Sequence, residues 1–146
     1  MNSKPIGLAS DHAGYDLKMQ IREYLDARGM SYEDFGTDST ASCDYSDFGH
    51  ALGRAVDEGR VDIGIAVCGS GEGISMTLNK HQKVRAGLVW NTDVTHLIRQ
   101  HNNANVIVFP GRFISKEDAY ACLDEFFATP FEGGRHQARI DKIPLQ

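Results

Sequence analysis

An α/β fold, read as an open doubly wound three-layer αβα sandwich on a five-stranded parallel sheet, is predicted by three features of the sequence. Five short apolar runs alternate with segments of helical periodicity, which calls for parallel strands joined by helical crossovers. Polar and glycine-rich residues follow directly after four of those runs, along the edge where such a sheet places its ligand site. No linker, repeat or low-complexity segment divides the 146 residues, so residues 1–146 are expected to form a single domain.

The first strand is expected in Pro5-Ile-Gly-Leu-Ala-Ser10, followed by a helix over Tyr15 to Arg28 with Leu17, Ile21, Tyr24 and Leu25 on one face. Gly29 is its C-terminal stop. Met30 to Phe35 reads as the second strand, and Gly36 to Asp44 as a loop rich in Gly, Ser, Thr and Asp. Phe48 to Glu58 carries Leu52, Ala55 and Val56 on one helical face, and Gly59 closes it. Asp62 to Val67 is the third strand and Gly71 to Lys80 the third helix. A fourth strand over Val84 to Trp90, a helix over Asp93 to His101 and a fifth strand over Asn105 to Phe109 come next. Ser115 then caps a helix reaching Phe127, with Asp118 in its first turn. The tail beyond Pro130 has room for a last short helix before Ile140.

Composition narrows the function. With 41% hydrophobic and 24% charged residues, the chain can bury a real core. A net charge of −5 argues against a nucleic-acid binder, which would show a basic stripe, so an anionic ligand must be caught by a local cluster. No apolar run approaches the roughly 20 residues of a membrane span, and the start Met-Asn-Ser-Lys-Pro leads into a strand rather than a signal peptide. A cytoplasmic protein with no membrane or nucleic-acid partner is expected. Cys43, Cys68 and Cys122 are odd in number and lack C-x-x-C spacing, so reduced thiols are expected, with neither a disulfide framework nor a zinc site.

The most informative stretch is Val61 to Ser75, where a buried-looking strand runs into Cys68-Gly-Ser-Gly-Glu-Gly-Ile-Ser75. Gly69, Gly71 and Gly73 lack Cβ atoms, so a ligand can approach the main chain closely. A helix starting near Gly71 would turn free N–H groups toward a phosphate or a developing oxyanion. The same field is expected to favour a thiolate at Cys68, with Glu72 opposing it if directed inward. The spacing matches neither G-x-x-x-x-G-K-[ST] nor G-x-G-x-x-G in a first strand-helix unit, which argues against nucleotide binding. The alternative for Cys68 is a small core residue.

Ser10-Asp11-His12, Cys68-Gly69-Ser70, Trp90 to Asp93 and Pro110-Gly111-Arg112 all fall at the same predicted edge. Each has a plain structural reading as well: Asp11 can cap the first helix, and Arg112 can pair with a surface carboxylate. His101-Asn102 falls where a helix ends, on the opposite edge, so it can serve that site only from a second subunit; otherwise it compensates the helix dipole. Arg135 and Arg139 are four apart and share a helical face able to grip a phosphate.

Taken in order, Ser10-Asp-His-Ala-Gly-Tyr-Asp-Leu-Lys18, Asp44-Tyr45, Cys68 to Ser75, Asn79-Lys80, Arg85-Ala86, His101-Asn102, Gly111-Arg112 and Gly134-Arg-His-Gln-Ala-Arg139 resemble ribose-5-phosphate isomerase B and its relatives, which include galactose-6-phosphate isomerase subunits. The resemblance spans about residues 5 to 140 and implies a single Rossmann-like sugar-phosphate isomerase domain. It implies an aldose-ketose isomerisation of ribose 5-phosphate and ribulose 5-phosphate through a cis-enediolate, without metal or other cofactor. By position, Cys68 would move the proton between C2 and C1, with Ser70 orienting it. The amides of Gly69, Gly71, Glu72 and Gly73 would hold the enediolate oxygen. His101 would open the furanose ring. Asp11 and Tyr45 would hold the sugar or help open it, and Asn102 would bind a hydroxyl. His12, Arg112, Arg135 and Arg139 would clamp phosphate and substrate. The partner implied is a second copy, in a homodimer or dimer of dimers with shared active sites.

Two residues depart from the pattern. Glu72 stands where relatives commonly carry an apolar or small residue; it can repel an enediolate or bond a sugar hydroxyl. Trp90 either narrows the pocket at the mouth of the fourth strand or simply packs. A four- or six-carbon sugar phosphate, a non-catalytic sugar-phosphate sensor and a flavodoxin-like nucleotide binder remain as alternatives. The sensor has no need of Cys68 with His101, and the nucleotide binder leaves the paired arginines unexplained.

Overall fold

The computed structural model describes residues 4–146 and contains five strands: β1 (Ile6–Ser10), β2 (Tyr32–Asp34), β3 (Gly64–Cys68), β4 (Ala86–Leu88) and β5 (Val106–Pro110). All pair in parallel, in the order β2-β1-β3-β5-β4. Six helices accompany them: α1 (Tyr15–Ala27), α2 (Tyr45–Asp57), α3 (Glu72–Leu78), α4 (Thr92–Gln100), α5 (Lys116–Ala128) and α6 (Arg135–Ile140).

The alternation of side chains along each strand decides which helix covers which face. Ile6, Leu8, Ile65, Val67, Ile107 and Phe109 point to one face and pack against α1 and α5, with Val94 and Ile98 of α4 joining them. Ala9, Ala66, Cys68, Val106 and Val108 point to the other and pack against Leu52 and Val56 of α2 and Ile74 and Leu78 of α3. Each fully buried Leu or Ile contributes about 1.5–3 kcal/mol.

Both predicted glycine stops are realised in the same way. Gly29 adopts φ +65°, its N–H bonds the Asp26 carbonyl at 3.1 Å, and the Met30 N–H reaches back to Leu25 at 3.0 Å. Gly59, at φ +75°, repeats this with Val56 at 3.0 Å and Arg60 to Ala55 at 2.9 Å. Two orphan carbonyls are satisfied at each helix end. At the other ends, Asn91 accepts the Val94 N–H at 2.9 Å and Ser115 that of Asp118 at 3.1 Å.

Boundaries differ most from the sequence expectation at three places, the first being β2, which is three residues long rather than six. The fourth strand is three residues long rather than seven, because β4 lies at the sheet edge and pairs only with β5. Its free side is met by Asn79, whose amide both donates to the Ala86 carbonyl at 3.0 Å and accepts its N–H at 2.9 Å. The second helix begins at Tyr45 rather than Phe48, with extended Asp44 before it. Among the described residues no helix is long and apolar enough to cross a membrane.

From β1 the chain moves outward to β2, then returns to set β3 on the other flank of β1. The connections after β1 and β3 therefore diverge, and a crevice opens above their carboxyl ends.

Candidate functional site

β3 delivers Cys68 into that crevice. The turn beyond it needs Gly71, whose φ is +79° and where a Cβ would lie 3.2 Å from the Phe109 carbonyl and 2.4 Å from the Leu88 side chain. Tightness of this turn lets α3 begin at Glu72 with Gly71 as its N-cap, so its first amides face back over the strand end. The backbone N–H groups of Ile74, Gly71 and Gly73 each act on the Cys68 thiol in the direction that favours its thiolate.

Cys68 is only 4% exposed. Burial pushes its thiol above the ordinary value of 9.0; the Ile74 amide pulls down, Asp11 pushes further up, and the Gly71 and Gly73 amides pull down again. Against the expected pull of the loop toward thiolate, which the three amides do exert, lost hydration is the larger effect and the net shift is upward. The amides instead form a preset cradle for negative charge when it develops. Glu72 is exposed, and its backbone N–H donates to the Ser70 hydroxyl at 3.2 Å.

Asp11 ends β1 and is 7% exposed. Its Oδ1 accepts the Gly14 N–H at 3.0 Å in the turn before α1, whose N-cap is Gly14 rather than Asp11, and its charge also acts on Cys68. His12 Nδ1 accepts the backbone N–H of Cys43 at 3.2 Å. A main-chain amide can only donate, so the neutral His12 ring carries its proton on Nε2 and presents it as a donor. The Tyr45 ring stands on Gly73, where a Cβ would lie 2.4 Å from it. Arg112 lies over Gly69, its guanidinium 3.2 Å from the position of a Cβ there. The loops carrying these two residues are stitched by Gly111 N–H to Cys68 O at 2.8 Å and Arg112 N–H to Gly69 O at 3.0 Å. Trp90, at 55% exposure, projects from the end of the β4 segment and belongs to neither core cluster, which removes the reading of it as packing.

α4 carries the chain back across the sheet, so His101 and Asn102 emerge at the amino edge. Five-residue strands rising about 3.3 Å per residue put that edge roughly 15 Å from the crevice. There the His101 ring stacks on His136, with centroids 4.4 Å apart and planes 15° from parallel. Asn102 lines a cavity of about 250 Å³ with Asn79, Arg85 and Ile98. Arg135 and Arg139 are exposed and one turn apart on α6. One chain thus brings together Asp11, His12, Tyr45, Cys68, Ser70, the loop glycines, Glu72 and Arg112, and holds His101, Asn102, Arg135 and Arg139 apart from them.

His136, only 8% exposed and 3.8 Å from Glu132, was given no role by the sequence reading. With His101 and Glu132 it offers ligand atoms within 4.8 Å of one another. The stacked rings do not suit a metal ion: their in-plane lone pairs lie in two nearly parallel planes and do not converge. The trio reads as support for the His101 ring.

The sequence model described as Ribose/Galactose Isomerase matches residues 6–143. A ribose-5-phosphate isomerase B from Escherichia coli strain K12 is 39% identical over 140 residues, covering 96% of this chain and 94% of that protein. The crystal structure of a ribose 5-phosphate isomerase from Thermotoga maritima superposes with a TM-score of 0.94 at 42% identity, covering 98% of this chain and 99% of that one. That of ribose-5-phosphate isomerase B from Mycoplasma genitalium with bound ribulose-5-phosphate gives 0.92 at 40% identity, covering 98% and 95%.

Proposed function

Because the chain belongs to the ribose/galactose isomerase family and is a sugar-phosphate isomerase, we propose that it interconverts ribose 5-phosphate and ribulose 5-phosphate through an enediolate, with Cys68 as the base. The observation that carries this reading is the buried Cys68 thiol at the end of β3, beside the topological switch point, with a glycine turn starting α3 directly after it. The five-carbon substrate is supported by relatives named for it, one of them holding ribulose-5-phosphate.

In the reaction His101 transfers a proton to open the furanose ring. Cys68, as thiolate, takes the proton from C2 of the open aldose; in the enediolate the C2 hydroxyl proton passes to the C1 oxygen, Cys68 returns its proton to C1, and amides of the 69–73 loop hold the oxygen that is anionic in between. Ser70 orients the base or the substrate. Asp11, Tyr45 and Asn102 hold hydroxyls, and His12, Arg112, Arg135 and Arg139 take the phosphate end. The loop amides carry the enediolate charge, so the proposal assigns no metal. His101, Asn102, Arg135 and Arg139 come from the facing subunit of a homodimer, because no single chain can bring both edges to one substrate.

The test is steady-state turnover of the chelated protein on ribose 5-phosphate beside four- and six-carbon aldose phosphates. Preference for ribose 5-phosphate is expected. Preference for another sugar would keep the chemistry and reassign the substrate, with Glu72 and Trp90 the first residues to exchange. Absence of turnover in protein that binds a sugar phosphate would replace the enzyme with a sensor. Cys68→Ala is expected to lower kcat by about a thousandfold or more while leaving substrate binding nearly intact.

A further inference from the structure

Lys18 is a fully buried side chain that the chemistry above does not use. It is 1% exposed and lies on α1 in line with Ile21 and Leu25, where a charge is out of place. Its ammonium donates to Asp34 Oδ1 at 2.6 Å and to the Thr37 carbonyl. Asp34 Oδ1 also accepts the Gly36 N–H at 2.9 Å. Ser10 N–H bonds the Gly36 carbonyl at 2.8 Å, and Thr37 N–H bonds that of Ser10 at 2.8 Å. These contacts fix the segment after β2 at its root, beside the residue that precedes Asp11. From buried Thr37 the chain crosses exposed residues 38–42 and regains the site at Cys43, whose amide holds His12, and at Tyr45, whose ring stands on Gly73.

We infer that Lys18 is a positioning residue: its ammonium clamps the root of the 36–45 segment, and thereby sets the tautomer of His12 and the seat of Tyr45 against the substrate. The inference rests on the proposed roles of His12 and Tyr45 as substrate ligands. The Cys68 cradle is built on β3 and α3 and does not depend on this clamp, so binding is expected to suffer more than chemistry.

Lys18→Met keeps an unbranched stem one atom shorter and removes the charge and its donors. In folded variant protein, KM for ribose 5-phosphate is expected to rise about tenfold with kcat within about threefold of wild type. Nitrogen NMR of the imidazoles, with the His12 signals identified by their loss in His12→Gln, provides a readout independent of turnover. Wild type should show a bare Nδ1 and a protonated Nε2 on His12, and Lys18→Met an averaged mixture of tautomers. If Lys18→Met does not fold, Asp34→Asn, which keeps the ammonium on Thr37, decides in its place with a KM rise of about threefold and the same NMR drift. Unchanged KM and an unchanged His12 spectrum in the folded variant would overturn the inference, as would a loss confined to kcat. Wild-type protein that does not turn over ribose 5-phosphate would sink the proposed function alone, and the His12 spectra would still decide the role of Lys18.

Discussion

At the scale of a residue, Cys68 sits between a desolvating wall and a row of amides, and the wall wins in the free protein. In the proposed reaction its working form is the thiolate, so a raised pKa lowers the active fraction at any given pH. The kcat/KM limb assigned to Cys68 should therefore lie on the alkaline side of the ordinary thiol value, and activity should climb with pH toward it. Asp11 contributes to that upward push. Asp11→Asn should move the limb toward lower pH, whatever it does to the absolute rate. A limb that stays in place would show that the Asp11 charge does not reach the base. Glu72, exposed at the first position of α3, differs in kind from these buried groups. Its exchange for Gln is expected to change the ranking of sugar phosphates rather than the pH limb.

At the scale of an element, close approaches fix how the helices meet. Gly53 of α2 leaves room for the His81 ring; a Cβ there would lie 2.3 Å from it. That ring is held between His50 at 2.8 Å and Asp57 at 3.1 Å, so it cannot simply turn away. Gly53→Ala should cost about 1–3 kcal/mol of unfolding free energy, read by denaturant titration; an unchanged midpoint would mean that α2 and α3 slide freely. On the other face, α4 and α5 are tied through Glu125, whose carboxyl is held below its ordinary value of 4.5 by hydrogen bonds from His96 and then Thr129. A depressed folded-state pKa contributes stability above the ordinary value and loses it as pH falls through the depressed one. Glu125→Gln should therefore lower the melting temperature near neutrality and leave it little changed at strongly acid pH. Parallel losses at all pH values would remove the charge from the explanation.

At the scale of the whole molecule, the division of the site between two sheet edges is the feature with the clearest consequence. If subunits share sites, Cys68→Ala and His101→Asn damage opposite halves of each one. Mixing the two inactive proteins and allowing subunits to exchange should restore about a quarter of wild-type turnover, because half of the dimers are then mixed and each has one intact site. No recovery, in protein shown by native mass spectrometry to contain the mixed dimer, would place both residues in sites confined to single chains.

The alternation of apolar runs and helical stripes determined the fold, since strand and helix periods are local properties of the chain. The glycine stops at 29 and 59 and the caps at Asn91 and Ser115 belong to the same local order, although only Asn91 was unclaimed in advance. Candidate residues such as Asp11, Cys68 and Arg112 were legible because a parallel sheet sends every strand end to one edge. Lys18 left a trace that went unread, a charge on the Leu17–Ile21–Leu25 face. Tertiary structure alone decided what no spacing encodes. It set the order β2-β1-β3-β5-β4, which makes β4 an edge and shortens it. It stacked His136 on His101, aimed the Cys43 amide at His12 and reversed the expected direction of the Cys68 pKa. The physical reason is common to all of these: desolvation and contact depend on which segments meet in space, and those meetings join residues far apart in the chain.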